Sequence, residues 1–225
     1  MYPFHQCTGR YSQVGRRWAD PLPVTTVAEP KTTRGRERKS AIIEAAAALM
    51  HERGVRATGL EDVLLASGAG KSQFYHYFSS KDDLAAAVLE HQLAAVLGEL
   101  GEFRLDTWSG IRAWFDSLLE GQERHGFSGC PVGSLAIELS AGGPDMQSCV
   151  ADAFSRWETI LARGLESMKA RGALDRATRP EVLAEATLAA VQGGYVLSTA
   201  HHEIGPMRTA LAAVYAQLRA SRPIG

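Results

Sequence analysis

From residue 33 onward the chain is a succession of apolar runs stepped by three and four residues and cut by glycine and proline. Ile42, Ile43, Ala46, Ala47, Leu49 and Met50 form the stripe of an amphipathic helix, and Gly54 stands where that helix should stop. Thr58 followed by Glu61 reads as a capping box opening a second, short helix with Leu60, Val63 and Leu64 inward. Gly68 and Gly70 end it, and a third short helix is expected from Lys71 to Phe78. Ser79 and Ser80, each three residues before an aspartate, should cap a fourth. Further helices are expected over Trp108–Arg124, from Pro131, from Pro144 to about Gly172, from Pro180, and after Gly205–Pro206. Proline suits these starts because its missing N–H has no partner in a first turn. Alternating β-branched runs are absent, so the chain is expected to be all-α.

The stretch VLAEATLAAVQGGYVL is apolar nearly all round, and Met207, Leu211, Val214, Tyr215 and Leu218 share one face of the last helix. A helix that is apolar all round is buried on more than one side. This terminal pair is therefore the expected homodimer interface.

With 225 residues and 45% hydrophobic content, the chain can bury a real core. Three cysteines are too few for a disulfide framework, and a reducing, cytoplasmic setting fits best. No run reaches the roughly 18 apolar residues of a membrane span, so no membrane partner is expected. Residues 1–30 show no apolar signal core and include Pro21, Pro23 and Pro30. Residues 1–33 read as a basic arm able to brush a phosphate backbone, or as a solvated tail or misassigned start.

The formal net charge of −1 argues against a nucleic-acid partner only if it is evenly spread. It is not. Residues 1–81 hold twelve basic and seven acidic groups, whereas residues 82–225 hold twelve and eighteen. A head of +5 on a body of −6 points to an anionic partner for the head alone.

Two short helices joined by a glycine turn, within a basic unit of about fifty residues, form a helix-turn-helix pattern. Its second helix would enter the major groove of double-stranded DNA. Lys71, Ser72, Gln73, Tyr75, His76 and Tyr77 supply a cation, hydroxyls and an amide suited to phosphates and base edges. Phe74 and Phe78, four apart, would anchor that helix inward.

The run GVRATGLEDVLLASGAGKSQFYHYFSSKDDL resembles the DNA-binding head of the TetR-type transcriptional regulators. Ser67–Gly68 stands at the family's turn, followed by Lys71, Tyr75, Phe78, Lys81 and Leu84 at its spacing. The match covers about fifty residues, and it departs from the family at Ala69 and Gly70, where a β-branched residue and then Ser or Thr are common. Glycine caps a helix nearly as well as serine, so the fold should survive with one hydroxyl contact fewer. The stretch SGCPVGSLAIELSAGGPDMQSCVADAF resembles the ligand domain of a branch that includes repressors answering electrophiles and drug-like compounds.

The resemblance implies a nine-helix homodimer. It would have a helix-turn-helix head at 34–81 and a ligand-binding and dimerisation body at 82–225. It also implies a non-enzymatic repressor that binds a palindromic operator and is released by a small-molecule effector. The expected DNA-contacting set is Thr58, Gly70, Lys71, Ser72, Gln73, Tyr75, His76, Tyr77 and Lys81. The expected effector-lining set is Trp108, Phe115, Phe127, Cys130, Met146, Trp157 and Tyr195.

Other readings compete at particular residues. GAGKS at 68–72 looks like the end of a phosphate-binding loop and would suggest a nucleotide-binding enzyme. The full pattern, however, needs glycine at Leu65 and a preceding strand. Cys130, at a helix start, is either a thiolate sensor favoured by the helix dipole or a small buried apolar residue. The buried reading is preferred, because reactivity requires exposure. Cys149 is expected in the core and Cys7 to be incidental. His201 and His202 point about 100° apart on a helix and cannot easily share an ion, and His51 and His125 have no ligand partner at good spacing. No metal and no cofactor are expected.

Overall fold

The structure is a computed structural model and describes residues 30–223; the arm reading and Cys7 lie outside these residues. Among the described residues there are nine α-helices and no strand. They are α1 (Thr33–Arg53), α2 (Leu60–Ser67), α3 (Lys71–Tyr77), α4 (Lys81–Leu100), α5 (Trp108–Arg124), α6 (Pro131–Leu139), α7 (Pro144–Ala170), α8 (Pro180–His201) and α9 (Gly205–Ala220). The helix starts expected at Trp108, Pro131, Pro144 and Pro180 fall where the glycine and proline punctuation puts them.

Local chemistry explains the boundaries. The Thr32 hydroxyl accepts the Gly35 N–H at 3.1 Å and opens α1, so residue 33 belongs to the first helix, not to an arm. Gly54 ends α1 at φ +84°, a conformation L side chains rarely adopt. The capping expectation for α2 was one residue out of register. Gly59 is the N-cap, and its N–H donates to the Asp62 carboxylate at 3.2 Å. Thr58 is buried and donates its hydroxyl back to the Gly54 carbonyl at 2.8 Å. Ser80 caps α4 by accepting the Asp83 N–H at 3.0 Å, and Thr107 does the same for α5 through Gly110 at 3.0 Å.

Ile42, Ala46, Met50, Val63, Phe74, Phe78, Leu84 and Val88 are each at most 2% exposed, and together they close the core of the head. Phe74 and Phe78 are the inward anchors that their spacing implied, with ring centroids 5.4 Å apart. Burying such a ring is worth roughly 3–5 kcal/mol against alanine.

In the body the most extensive helix pairing is α8 with α9, then α7 with α8. Gly194 lets α8 and α9 close, because a side chain there would run into Met207. The buried Ser198 hydroxyl accepts the Met207 N–H at 3.0 Å, supplying the partner α9 lacks at its own N-cap. Helix α4 belongs to both regions: it packs on α1 and also on α6 and α7.

Candidate nucleic-acid interface and effector cavity

Residues i, i+1, i+4 and i+5 share one face of a helix. On α3 those positions are Lys71, Ser72, Tyr75 and His76, and all four are exposed. Gln73 sits half-buried at the edge of this face, and Lys81 is exposed at the start of α4. Gly70 is the N-cap of α3, and a side-chain carbon added there would meet nothing within 4 Å. Two expected contacts leave the face. Tyr77 is 8% exposed because its position, three after Phe74, turns it into the core with Phe78. Thr58 is 1% exposed and already committed to Gly54.

Lys71 is ion-paired with Glu61 across the turn at 2.7 Å, and that carboxylate raises the lysine pKa above its ordinary value. Both groups are exposed, so the pair is weak and exchangeable. A phosphate can take the carboxylate's place. The Lys81 ammonium donates to the Arg56 carbonyl at 3.4 Å, close enough to share with a second acceptor.

GAGKS does not form a phosphate-binding loop. The segment before it is helix α2, not a strand, and Leu65 there is 85% exposed. The glycines serve the turn: Gly68 is left-handed at φ +66° and its N–H returns to Leu64.

The body holds a cavity of about 600 Å³, a volume suited to a drug-sized molecule. Its walls come from α1, α4, the α4–α5 connection, α5, the α5–α6 connection, the start of α6, α7 and α8. Of the expected lining residues, Cys130, Trp157 and Tyr195 are there. The other four are not. Trp108 packs edge-on to Tyr215 under the Arg219 guanidinium, and Phe115 packs on Trp114 and Tyr215. Phe127, in a left-handed turn at φ 61°, meets His202, and Met146 lies beside Gly142.

Residues that the sequence did not mark complete the cavity. Among the described residues, the buried side-chain polar atoms without a hydrogen-bond partner are His51 Nδ1, Gln122 Nε2 and Trp157 Nε1. All three residues line this cavity. Leaving a buried polar group unpaired costs about 1–3 kcal/mol, so each of these three groups is one that water or a bound molecule would satisfy. A glutamine on the buried face of α5 was the signal available in the sequence.

Cys130 is the N-cap of α6, and its sulfur accepts the Gly133 N–H at 3.3 Å and the Gln192 amide at 3.5 Å. It is 3% exposed, and burial pushes its thiol pKa up, outweighing those two donors. The helix-dipole expectation of a thiolate therefore loses to desolvation. Burial likewise raises Tyr195, helped by Cys130 and Glu99, so its phenol stays protonated. Cys130 and Tyr195 also border a second, more open recess of about 510 Å³ between α6, α7 and α8. Cys149 is half-buried.

No helix among the described residues is long and apolar enough to cross a membrane, and these residues contain no cluster of three metal-ligating side chains.

Residues 42–88 match the model of the bacterial regulatory proteins of the tetR family. Residues 108–213 match the C-terminal domain of LmrA/YxaF-like transcriptional regulators. An uncharacterised HTH-type transcriptional regulator in the lacX 3′ region of Lactococcus lactis is 31% identical over 72% of this chain and 83% of its own length. The transcriptional regulator AcuR of Cereibacter sphaeroides is 30% identical over 74% and 82%. The crystal structure of reduced Escherichia coli NemR superposes with a TM-score of 0.72 at 27% identity, covering 79% of this chain and 95% of that one. The helix-turn-helix head, the nine helices of the described residues and these matches agree: the chain belongs to the TetR family of bacterial transcriptional regulators.

Proposed function

We propose that the protein is a repressor that binds a palindromic operator as a homodimer and releases it when a small molecule occupies the 600 Å³ cavity. The observation that carries this reading is helix α4. It begins in the head directly after the exposed α3 face, and its C-terminal half, through Val96, Glu99 and Leu100, walls the cavity. One rigid element thus touches both the DNA-facing unit and the effector space. An effector shifts the head only by as much as it binds one body conformation better than the other.

On DNA, Lys71 and Lys81 neutralise phosphate, while Ser72, Tyr75 and His76 meet backbone or base edges, with Gln73 at the margin. Tyr77 and Thr58 hold the helix-turn-helix in shape. The dimer forms through the outer face of α8 and α9. There Val182, Val196 and Leu197 are 43–56% exposed, and Ala189, Gly193, Ala212, Ala213 and Ala216 leave a surface smooth enough for close helix packing. Two recognition helices then address two half-sites one helical turn or a multiple apart.

The effector presents at least one hydrogen-bond acceptor to Trp157 or Gln122. Cys130 acts as a buried capping residue, and binding rather than modification drives release. A titration of the gene's own upstream duplex tests the reading. Saturable binding that weakens linearly in log salt and is reversed by a compound that quenches the cavity tryptophans supports it. Salt-independent or absent binding would refute it.

A further inference from the structure

We infer that Glu138, on α6, is the latch through which the cavity sets the orientation of the DNA-binding head; the inference rests on the effector reading of that cavity. Glu138 lies in the last turn of α6, in the body. Its two carboxylate oxygens accept the backbone N–H groups of Val55 and Arg56, each at 3.0 Å. Those two amides belong to the α1–α2 turn of the head, 83 and 82 residues away in sequence. The turn is shaped to receive the carboxylate. A side-chain carbon at Gly54 would stand 2.6 Å from Glu138 Oε1, so glycine serves there as cradle as well as helix stop.

Charge-assisted bonds of this kind are about twice as strong as neutral ones, and here both oxygens are engaged. The opposite end of α6 is part of the cavity wall, through Cys130 and Pro131. Seven helical steps separate Pro131 from Glu138, about 10 Å of rigid rod. The head is otherwise joined to the body by α4, and α1 packs on the same helix α6. A unit held on one helix can swing about it; a second attachment on a second helix, α6, fixes the swing. Moving the N-terminus of α6 relative to α4 then turns the head, and the carboxylate is the only side chain in this second attachment that bonds the turn's amides among the described residues. Glu138 is a positioning residue.

A tethered occupant supplies the probe. Gly121 lines the cavity, and a carbon added there meets nothing within 4 Å, so Gly121→Phe places a ring at that wall. In the otherwise wild-type chain this change should weaken binding of the upstream duplex about tenfold, within the ordinary range of allosteric coupling. In a Glu138→Gln background, which presents an NH2 group to one of the two amides, the same change should cost less than twofold. Amide exchange at Val55 and Arg56 should accelerate in Glu138→Gln while the melting temperature stays within a few degrees. Glu138→Asp, one methylene shorter with its charge intact, should behave like Glu138→Gln and guards against a folding artefact. A Gly121→Phe penalty that persists undiminished in both backgrounds, or amides that remain protected, overturns the latch and leaves the cavity reading standing. A Gly121→Phe chain that binds the duplex as tightly as wild type overturns the cavity reading and the latch's transmitting role with it.

Discussion

The head and the body solve opposite problems. The head puts most of its working groups outward on one face of a seven-residue helix, held by Phe74 and Phe78 from behind. The body turns its working groups inward and assembles them from α1, α4, α5, α7 and α8. The head's polar groups are exposed and have water until DNA arrives. Around the cavity, Gln122 and Trp157 of the body and His51 of α1 have buried polar atoms without a partner, and the fold bears that cost. A surface that reads a polyanion can be locally encoded and cheaply solvated. A cavity that reads a small molecule must be built from distant parts and carries its strain within it.

The comparison breaks first if the head does not depend on its anchors. Phe74→Ala should cost roughly 3–5 kcal/mol and abolish duplex binding, measured by thermal unfolding and anisotropy. Binding that survives would show that the α3 face is held by something other than this core.

The body's cost can be read directly. Gln122→Leu replaces a buried, unpaired amide with an apolar group of similar volume, so it should stabilise the chain by about 1–3 kcal/mol. Duplex affinity should be unchanged and effector response weakened. A loss of stability would mean that the amide is satisfied within the protein and that the cavity is not polarised toward a ligand.

Such a trade is hard to see in a sequence, and the two regions differed in legibility for this reason. Helix starts at Pro131, Pro144 and Pro180, and the inward pair Phe74 and Phe78, follow from local rules of period and capping. So does the exposed set Lys71, Ser72, Tyr75 and His76. Tyr77 looked like its neighbour Tyr75, because two residues of helix turn a side chain by about 200°, and only the packed core decides which of the two faces inward. The α2 cap slipped by one residue because Thr58 found a better acceptor in the Gly54 carbonyl. The cavity was scarcely legible. Trp108, Phe115, Phe127 and Met146 are large and apolar, as core and cavity residues both are, whereas His51 comes from the head's own first helix. No local pattern links residues separated by a hundred positions.

Smaller effects sharpen the same contrast. Lys71→Ala should weaken duplex binding similarly across sequences and lower the salt slope by about 1. Glu61→Gln should strengthen binding, because it frees Lys71 and removes a carboxylate beside the phosphate. For Cys130, the raised thiol pKa means that the folded state keeps its proton where the unfolded chain loses it. Stability should therefore fall as pH rises through the ordinary thiol range, and alkylation of the native protein should be slow. Rapid labelling at neutral pH would reinstate a sensing thiol. Gly70→Ser should have the smallest effect. Open space at that N-cap admits a hydroxyl, gaining a few tenths of a kcal/mol and one phosphate contact.

Outward reading by the head and inward control by the body meet in the affinity for the upstream duplex. The most direct measurement is an anisotropy titration of that duplex with wild type, Tyr75→Ala and Gln122→Leu at several salt concentrations. Tyr75 is 57% exposed, so its loss should leave folding intact while weakening binding, and Gln122→Leu should bind as wild type does. Wild-type affinity for Tyr75→Ala, or a binding defect in Gln122→Leu alone, would contradict the division of labour between the two regions.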